Sequence, residues 1–288
     1  MNLINTHLLP PSLTIPKPII FLAKFTQFFS THLTAKFAAL LFSTPVKFPI
    51  PKREKVMLDS AQKKTIFVEN IGKNIEVLSY GYSQKKVLLV HGWAGRSTQL
   101  FMIADKLLEQ GYMVISFDGP AHGNSSGKTT AMPEFIDTIT LLDKQFGPFE
   151  AAVGHSFGGM CLYNSVADGF KINKLVTVGA PDRISEVLLN FSKNLNVKPR
   201  IAIKMKQFFD KKWQVDIEQH SASVVAKKIT IPTLVVHDTA DGDVSVNCAV
   251  NIRKNLQKGT LLMTQGLGHT KILRNKKVTT EIVKFITN

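Results

Sequence analysis

Short, continuous runs of apolar residues constrain the fold of this 288-residue chain more than any other feature of its sequence. Two examples are KVLLVH at residues 86–91 and MVISFD at residues 113–118. Both are apolar through most of their length rather than at alternate positions, which is typical of a strand buried on both faces of a sheet. With further segments the sequence predicts these strands: 64–69, 74–80, 86–91, 113–118, 151–154, 174–179, 233–237 and 260–264.

Segments with helical spacing alternate with most of these strands. The predicted helices are 100–110, 133–145, 158–167, 247–256 and 276–286. The first two strands are joined by Asn-Ile-Gly-Lys, a typical hairpin turn. Strands and helices in this rhythm predict an α/β fold with a mostly parallel central sheet flanked by helices. A hydrophobic content of 44% suffices for one large core, and we assign residues 63–288 to this domain.

One interval breaks the alternation of strands and helices. Between Ala180 and Pro232 no strand is predicted. Loops of that length without secondary structure are uncommon, so we interpret residues 181–230 as a helical lid inserted at one end of the sheet. Its apolar and aromatic residues at helical spacing are Leu188, Phe191, Leu195, Met205, Phe208, Phe209 and Trp213.

Residues 1–62 form a separate N-terminal region. Residues 19–42 are apolar but include Lys24 and Lys36, which argues against a membrane-spanning helix. The first sixteen residues carry no charge, which argues against a secretory signal. A more polar stripe at helical spacing instead predicts an amphipathic helix that packs against the domain, with weak contact to a membrane surface as the alternative. The Pro-rich residues 45–51 and the charged segment after them predict an extended arm rather than core.

The composition bears on partners and location. Basic residues exceed acidic ones by 15, an excess that suits anionic partners. The basic residues are dispersed, with no zinc-finger spacing and no aromatic-basic RNA-binding signature, so nucleic-acid binding is not expected. Cys161 and Cys248 fall in different predicted helices, which favours reduced thiols and a cytoplasmic location. No group of side chains has the spacing of metal ligands, and neither a metal nor a cofactor is expected.

The strongest local motif is Gly154-His155-Ser156-Phe157-Gly158, a G-x-S-x-G between a predicted strand and a predicted helix. A sharp strand-to-helix turn needs glycines on both sides, because larger side chains would clash with neighbouring backbone. Such a turn lifts its serine above the sheet and leaves the first N–H groups of the helix free to bind negative charge. Ser156 is therefore the candidate nucleophile.

From about Lys64 to Asn288 the chain resembles the α/β-hydrolase superfamily. The matching segments, in family order, are His91–Gly95, Asp118–Ser125, the G-x-S-x-G motif, Asp241 and His269. The resemblance implies a sheet of about eight strands with one antiparallel strand near its start. It also implies a nucleophile, acid and base in the chain order Ser156, Asp241, His269.

His269 follows the last predicted strand, where the family keeps its catalytic base, whereas His91, His122 and His155 are interpreted as holding loops by hydrogen bonds. The acid is less clearly marked. The family pattern G-x-x-D-x-x-V-P aligns with Asp241, but Asp238 replaces the usual glycine and a serine replaces the proline, so Asp238 and Asp243 remain alternatives.

Acyl transfer also needs donors for the developing oxyanion. The resemblance implies that the backbone N–H groups of Trp93 and Phe157 supply them. The turn at Asp118–Ser125 is expected to brace the strand-to-helix turn of Ser156 rather than to take part in chemistry.

These features predict a serine hydrolase that cleaves a carboxylic ester or related acyl compound through an acyl-enzyme on Ser156. The partner is then a small acyl substrate, and the aromatic lid favours an apolar portion of it. Thioester, amide or carbon–carbon bond cleavage would use the same residues. The alternatives are a non-catalytic binding protein of the same fold and a membrane-surface lipase or acyltransferase.

Overall fold

The computed structural model describes residues 8–288 of the chain. Every predicted strand is present, displaced by at most two residues at either end. The strands are β1 (Gln62–Val68), β2 (Lys73–Tyr80), β3 (Lys86–Val90), β4 (Met113–Phe117), β5 (Ala151–His155), β6 (Lys174–Val178), β7 (Thr233–Asp238) and β8 (Gly259–Thr264).

The strands form one eight-stranded sheet in the order β1-β2-β4-β3-β5-β6-β7-β8. β2 runs antiparallel to both of its neighbours, and the pairs from β4 to β8 are parallel. The predicted fold class is therefore confirmed, including the antiparallel strand near its start. Parallel strands end at the same edge of the sheet, so the loops after β3, β5, β7 and β8 lie together there.

Helices cover both faces of the sheet. The helices that follow or precede strands are α4 (Phe101–Glu109), α5 (Met132–Phe146), α6 (Phe157–Ala167), α10 (Val246–Asn255) and α12 (Lys276–Thr287), with shorter α3 (Lys55–Ser60), α9 (Ala222–Val225) and α11 (Gly268–Lys271). One hydrophobic cluster, which includes Phe135 and Tyr163, fills one face of the sheet. A second cluster, which includes Leu107 and Ile282, fills the other face. The central strands are consequently buried on both sides, which is why they are continuously apolar.

Four further helices form a cap with its own hydrophobic core. They are α1 (Lys17–Phe29), α2 (Thr31–Phe42), α7 (Ile184–Asn194) and α8 (Arg200–Trp213). The insertion between β6 and β7 is thus helical, as predicted. Its helices pack against α1 and α2 through small residues of the N-terminal pair and larger residues of the insertion, among them Ala35, Ala39, Ile201 and Met205. Alanines at the contact allow the helices to approach closely.

The apolar segment 19–42 is two helices and not the single helix that its composition suggested. Ser30 lies between them in an extended conformation. Its backbone N–H bonds to the Thr26 carbonyl at the end of α1, and its hydroxyl accepts a hydrogen bond from the Leu33 N–H at the start of α2. Ser30 thus provides partners for backbone groups that would otherwise be unpaired at the end of α1 and the start of α2, which stabilises the interruption between the two helices.

The segment between α2 and β1 is attached to the domain, so the prediction of an extended arm outside the core was wrong at its C-terminal end. Glu54 is only 3% exposed. Its carboxylate accepts hydrogen bonds from Arg96 Nε at 2.9 Å and Thr98 Oγ1 at 2.7 Å. Lys47 Nζ donates to the Gly123 carbonyl at 2.7 Å. The charged residues that suggested a solvated linker instead form the hydrogen bonds that attach this segment to the domain.

Within residues 8–288, every helix is too short or too polar to cross a bilayer.

Candidate active site

The turn between β5 and α6 carries Ser156 at the edge of the sheet where the parallel strands end. Ser156 has φ 51° and ψ −119°, a conformation that residues other than glycine rarely adopt. Its backbone N–H donates to the Val178 carbonyl at 2.8 Å, which fixes the turn to β6. Strain of this kind persists only where surrounding structure enforces it, and it is frequent at functional sites.

Glycines flank this turn because there is no room for side chains. A methyl group at Gly158 would lie 2.5 Å from the carbonyl oxygens of Val90 and His91. A methyl group at Gly154 would lie 2.7 Å from the Gly159 backbone. The glycine requirement argued from the motif is thus explained by the close approach of α6 to the sheet.

His269 lies in α11, just after β8, and is paired with Asp241 from the loop after β7. His269 Nδ1 donates to Asp241 Oδ2 at 2.8 Å. Burial opposes the charged form of His269, but the hydrogen bond and the negative charge of Asp241 outweigh it, so the pKa of His269 is raised. Burial likewise works against the charge of Asp241, whose pKa is nevertheless lowered by the hydrogen bond from His269. With a proton on Nδ1, Nε2 of the neutral ring is free to act as a base.

The two alternative aspartates have other partners. Asp238 accepts hydrogen bonds from the Ala240 and Leu267 N–H groups and from the Thr264 hydroxyl, so it braces the loops after β7 and β8. Asp243 binds the backbone N–H and hydroxyl of Ser12. Of the three aspartates, only Asp241 has a hydrogen bond to His269 among the described residues.

Ser156 and His269 line the same cavity, which has a volume of about 360 Å³. No hydrogen bond joins the Ser156 hydroxyl to His269 among residues 8–288. In the absence of substrate, catalytic hydrogen bonds are often long and tighten when substrate binds. The two loops are linked through His155, whose Nε2 donates to the His269 carbonyl at 3.0 Å.

The loop after β3 brings Trp93 beside the Ser156 turn. The rings of Trp93 and Phe157 meet edge to face, with centroids 5.4 Å apart. The N–H groups of Gly92, Ala94 and Gly95 each have an acceptor within 3.1 Å. The Trp93 N–H has none among the described residues. Phe157 is the first residue of α6, so its N–H has no carbonyl partner within the helix. Both N–H groups are therefore available to a ligand oxygen.

Three buried histidines hold these loops, and we name them the loop histidines: His91, His122 and His155. His91 donates from Nδ1 to the Gly92 carbonyl and accepts the Gly119 N–H, and His122 accepts the Ala94 N–H. Burial lowers the pKa of His91 to about 4 and those of His122 and His155 to about 3. They are neutral at pH 7, which suits a loop-holding role and excludes them as carriers of positive charge.

The turn at 118–125 braces the Trp93 loop rather than the Ser156 turn, contrary to the prediction. Asp118 Oδ1 accepts the Ser97 N–H at 2.7 Å, and Oδ2 accepts the Asn124 N–H at 2.8 Å. With the bond from Ala94 to His122, the turn is tied to the loop that contains Trp93 at Ala94 and at Ser97.

The walls of the cavity differ from those predicted. Among its described lining residues, none belongs to the insertion at 181–230, so the insertion does not supply its apolar wall. α2 lies between, with Phe42 stacked on Trp93 at 6.0 Å and in contact with Phe191 and Phe209 of the insertion. The end of α2 therefore separates the Trp93 ring from the aromatic residues of the insertion.

Several cavity residues were not found by sequence reasoning. Ser12 and Leu13 line the cavity, and the Leu9 N–H donates to the Ala240 carbonyl at 3.0 Å. Arg53 and Arg274 also line it. These residues are far apart in sequence and follow no motif. Only the basic character of the arm and of the segment after His269 could have drawn attention to the two arginines.

Within the described part of the chain, two groups of side chains bring three potential metal ligands within 4.8 Å of one another. One is Asp241, Asp243 and His269, whose hydrogen bonds to one another and to Ser12 are described above. The other is Asp182, Glu186 and Cys248, where burial raises the pKa of Cys248 to about 12.

A sequence profile of the alpha/beta hydrolase family matches residues 87–240, more than half of the chain. A second profile, described as TAP-like protein, matches residues 205–288. The chain therefore belongs to the alpha/beta hydrolase family. No curated protein sequence matches it.

Solved structures of hydrolases share the fold at low sequence identity. The esterase EaEST from Exiguobacterium antarcticum is 18% identical with a TM-score of 0.61, over 79% of this chain and 100% of the esterase. The esterase Pf2001 from Pyrococcus furiosus is 17% identical with a TM-score of 0.64, over 84% of this chain and 98% of that one. A thioesterase domain from the curacin biosynthetic pathway is 17% identical with a TM-score of 0.59, over 79% and 99% respectively. The fold and these neighbours support a hydrolase.

Proposed function

We propose that the chain is a serine hydrolase that cleaves a carboxylic ester through an acyl-enzyme on Ser156. One observation carries this proposal: the strained Ser156 turn and the His269–Asp241 pair line or border one cavity. A serine hydroxyl becomes a nucleophile only when a base takes its proton, and His269 is held with Nε2 free for that role.

In the first half of the reaction, Ser156 Oγ attacks the ester carbonyl carbon while its proton passes to His269 Nε2. The carbonyl oxygen becomes an oxyanion that accepts hydrogen bonds from the Trp93 and Phe157 N–H groups. Collapse of this intermediate breaks the bond to the alcohol oxygen, which takes the proton from His269. Asp241 stabilises the charge on His269 between these two transfers.

The second half releases the acid. Water attacks the acyl carbon and gives a proton to His269 Nε2, and the same N–H groups receive the oxyanion. The bond to Ser156 Oγ then breaks and the serine regains its proton from His269. Each turnover consumes one ester and one water and yields one acid and one alcohol.

The charges in the cavity support a substrate with an anionic group. Arg96 is paired with Glu54, whereas Arg274 has neither an ion pair nor a hydrogen bond among the described residues. Burial lowers the pKa of Arg274 most, the charge of Arg53 lowers it further, and the charge of Glu54 raises it. The guanidinium groups of Arg53 and Arg274 therefore repel each other, and Glu54 offsets this repulsion only in part. A carboxylate or phosphate on the substrate would relieve that repulsion.

The test is a panel of activated esters and thioesters of graded acyl length, with and without an anionic group. Wild type is expected to hydrolyse esters and to react with a fluorophosphonate probe, and Ser156→Ala to do neither. A folded wild type that hydrolyses no substrate and does not react with the probe would overturn the proposal and favour a binding protein of this fold. Faster cleavage of thioesters than of matched esters would identify thioesters, rather than esters, as the substrate class.

A further inference from the structure

Helix α1 points most of its large apolar side chains away from the protein. Its inward side carries the buried Ala23, the partly buried Ile19 that packs on the cap core, and two polar residues with partners in the cap. Gln27 Oε1 accepts the Lys198 backbone N–H at 2.7 Å. Thr26 Oγ1 lies 3.3 Å from Thr34 Oγ1 of α2. A helix at a protein surface normally has the opposite orientation, with its polar side in water.

The outward side of α1 is a contiguous apolar surface, which we name the phenylalanine face: Phe21, Leu22, Phe25, Phe28 and Phe29. Phe28 is 85%, Phe21 72% and Phe29 68% exposed. The ring of Phe29 packs edge to face against Phe25 at 5.0 Å and Phe28 at 5.2 Å. Single exposed apolar residues are ordinary, but a contiguous patch of aromatic rings marks a surface that binds a partner.

The sequence on either side of this face is basic and contains no acidic residue before Glu54. Six lysines and arginines precede the first acidic residue of the chain, Glu54. Lys17 and Lys24 belong to α1 itself and are exposed, and Lys198 adjoins Gln27 at the inner edge of the helix. Exposed aromatic rings bordered by lysines complement a surface that is apolar inside and negatively charged outside, such as a bilayer of anionic phospholipids.

We propose that the phenylalanine face docks α1 on the surface of an anionic phospholipid bilayer. The helix lies in the plane of the interface, with its rings among the acyl chains and Lys17 and Lys24 at the phosphate groups. Thirteen residues are too few to span a bilayer. A second copy of the chain fits less well, because a symmetric contact through this face would bring the same lysines of both copies together.

The test is co-sedimentation of the full chain with vesicles, using the Ser156→Ala variant so that hydrolysis cannot alter the lipid. We expect the protein to bind vesicles of phosphatidylcholine and phosphatidylglycerol in equimolar mixture, and to bind pure phosphatidylcholine vesicles far more weakly. Added salt is expected to weaken binding to the mixed vesicles, because it screens the lysines.

The decisive variant is the triple substitution F21S/F25S/F28S. Each ring lost from the acyl region is expected to lower the partition constant on the order of tenfold, so the triple variant should fall at least about a hundredfold. The matched control is F67S, which removes a phenylalanine that is 56% exposed on β1, outside the cap. It should bind like the parent. Equal circular dichroism spectra and melting curves of parent and variants establish that all are folded.

The charge is tested separately with K17E/K24E, which is expected to weaken binding to the mixed vesicles by roughly fivefold or more per lysine. Lys144→Glu, an exposed lysine of α5, is the control. The proposal is overturned if the parent binds neither vesicle, or if F21S/F25S/F28S binds as the parent does. It is also overturned if the parent forms a dimer that the triple variant loses and neither protein binds vesicles.

Discussion

Asp241→Asn is the substitution whose effect the structure defines most closely. Asp241 Oδ1 accepts two backbone N–H groups, from Asp243 at 2.8 Å and Val244 at 2.9 Å, and Oδ2 accepts His269 Nδ1. An asparagine has one acceptor and one donor in place of two acceptors. Its oxygen must face the two N–H groups, because the reverse orientation would set its NH₂ against both donors.

That orientation turns the asparagine NH₂ towards His269 Nδ1. Nδ1 can then only accept, so the neutral ring carries its proton on Nε2 and cannot take one from Ser156. We expect kcat for a preferred ester to fall about 10⁴-fold, which corresponds to about 5.5 kcal/mol of transition-state stabilisation. The fold is expected to remain intact, since the loop keeps both backbone hydrogen bonds.

The pH profile gives an independent signature. His269 must be neutral to accept a proton, so kcat/KM rises with pH through its pKa. In the wild type that pKa is raised, because the hydrogen bond and charge of Asp241 outweigh burial. Removing both contributions lowers the pKa, and the acid limb of Asp241→Asn should therefore lie at lower pH than that of the wild type.

Asp243→Asn is the matched control, because it changes an aspartate of the same loop that binds Ser12 rather than His269. Its kcat should stay within about threefold of the wild type. Steady-state kinetics on purified, folded protein measures both variants. The assignment of Asp241 as the acid is refuted if Asp241→Asn keeps more than about a tenth of the wild-type kcat while Asp243→Asn loses activity.

Four further predictions concern stability and specificity. Gly158→Ala places a methyl group 2.5 Å from the Val90 carbonyl, so it should destabilise the fold by about 1–3 kcal/mol or more, and an unchanged melting temperature would contradict this. Glu54→Ala removes the partner of Arg96, whose side chain is 14% exposed, and the acceptor of the Thr98 hydroxyl, so it should lower the free energy of unfolding by about 1–3 kcal/mol; an unaltered denaturation midpoint argues against the role of this pair. Arg274→Gln should raise KM about tenfold for an ester that carries a carboxylate and leave a neutral ester unaffected, whereas equal effects on both would speak against an anionic substrate. The loop histidines have pKa values of about 3 to 4 in the folded protein, below their unfolded value. Their contribution to the free energy of unfolding is therefore fully present above about pH 6.5 and declines below it, and protonation of each histidine in the unfolded chain should lower that free energy by about 2 kcal/mol between pH 7 and pH 5. Equal urea midpoints at the two pH values would exclude this.

The sheet and the Ser156 turn were predictable because their signals are local. A strand buried on both faces must be apolar along its length, so β3 and β4 stand out in the sequence. The turn at Ser156 is so sharp that only glycine fits at positions 154 and 158, so neighbouring residues in the sequence suffice to predict it. His269 was found because it follows the last strand in the order that the family keeps.

The N-terminal region was predicted less well, because its structure depends on contacts far away in the chain. The same apolar composition is compatible with one helix or two, and Ser30 decides between them only through hydrogen bonds to both helix ends. The charge of Glu54 suggested solvent exposure, but Arg96, 42 residues later, makes its burial stable.

The sequence by itself determined the α/β sheet, the position of the candidate nucleophile and the residue types available to assist it, because apolar continuity and glycine spacing act over a few neighbouring residues. Only the tertiary structure decided which aspartate binds His269, which segments line the cavity and which side of α1 faces outward. Those outcomes depend on distances between residues that are remote in the chain. A hydrogen bond of 2.8 Å between His269 and Asp241, or an exposed row of phenylalanines, exists only once the loops and the cap have packed on the sheet.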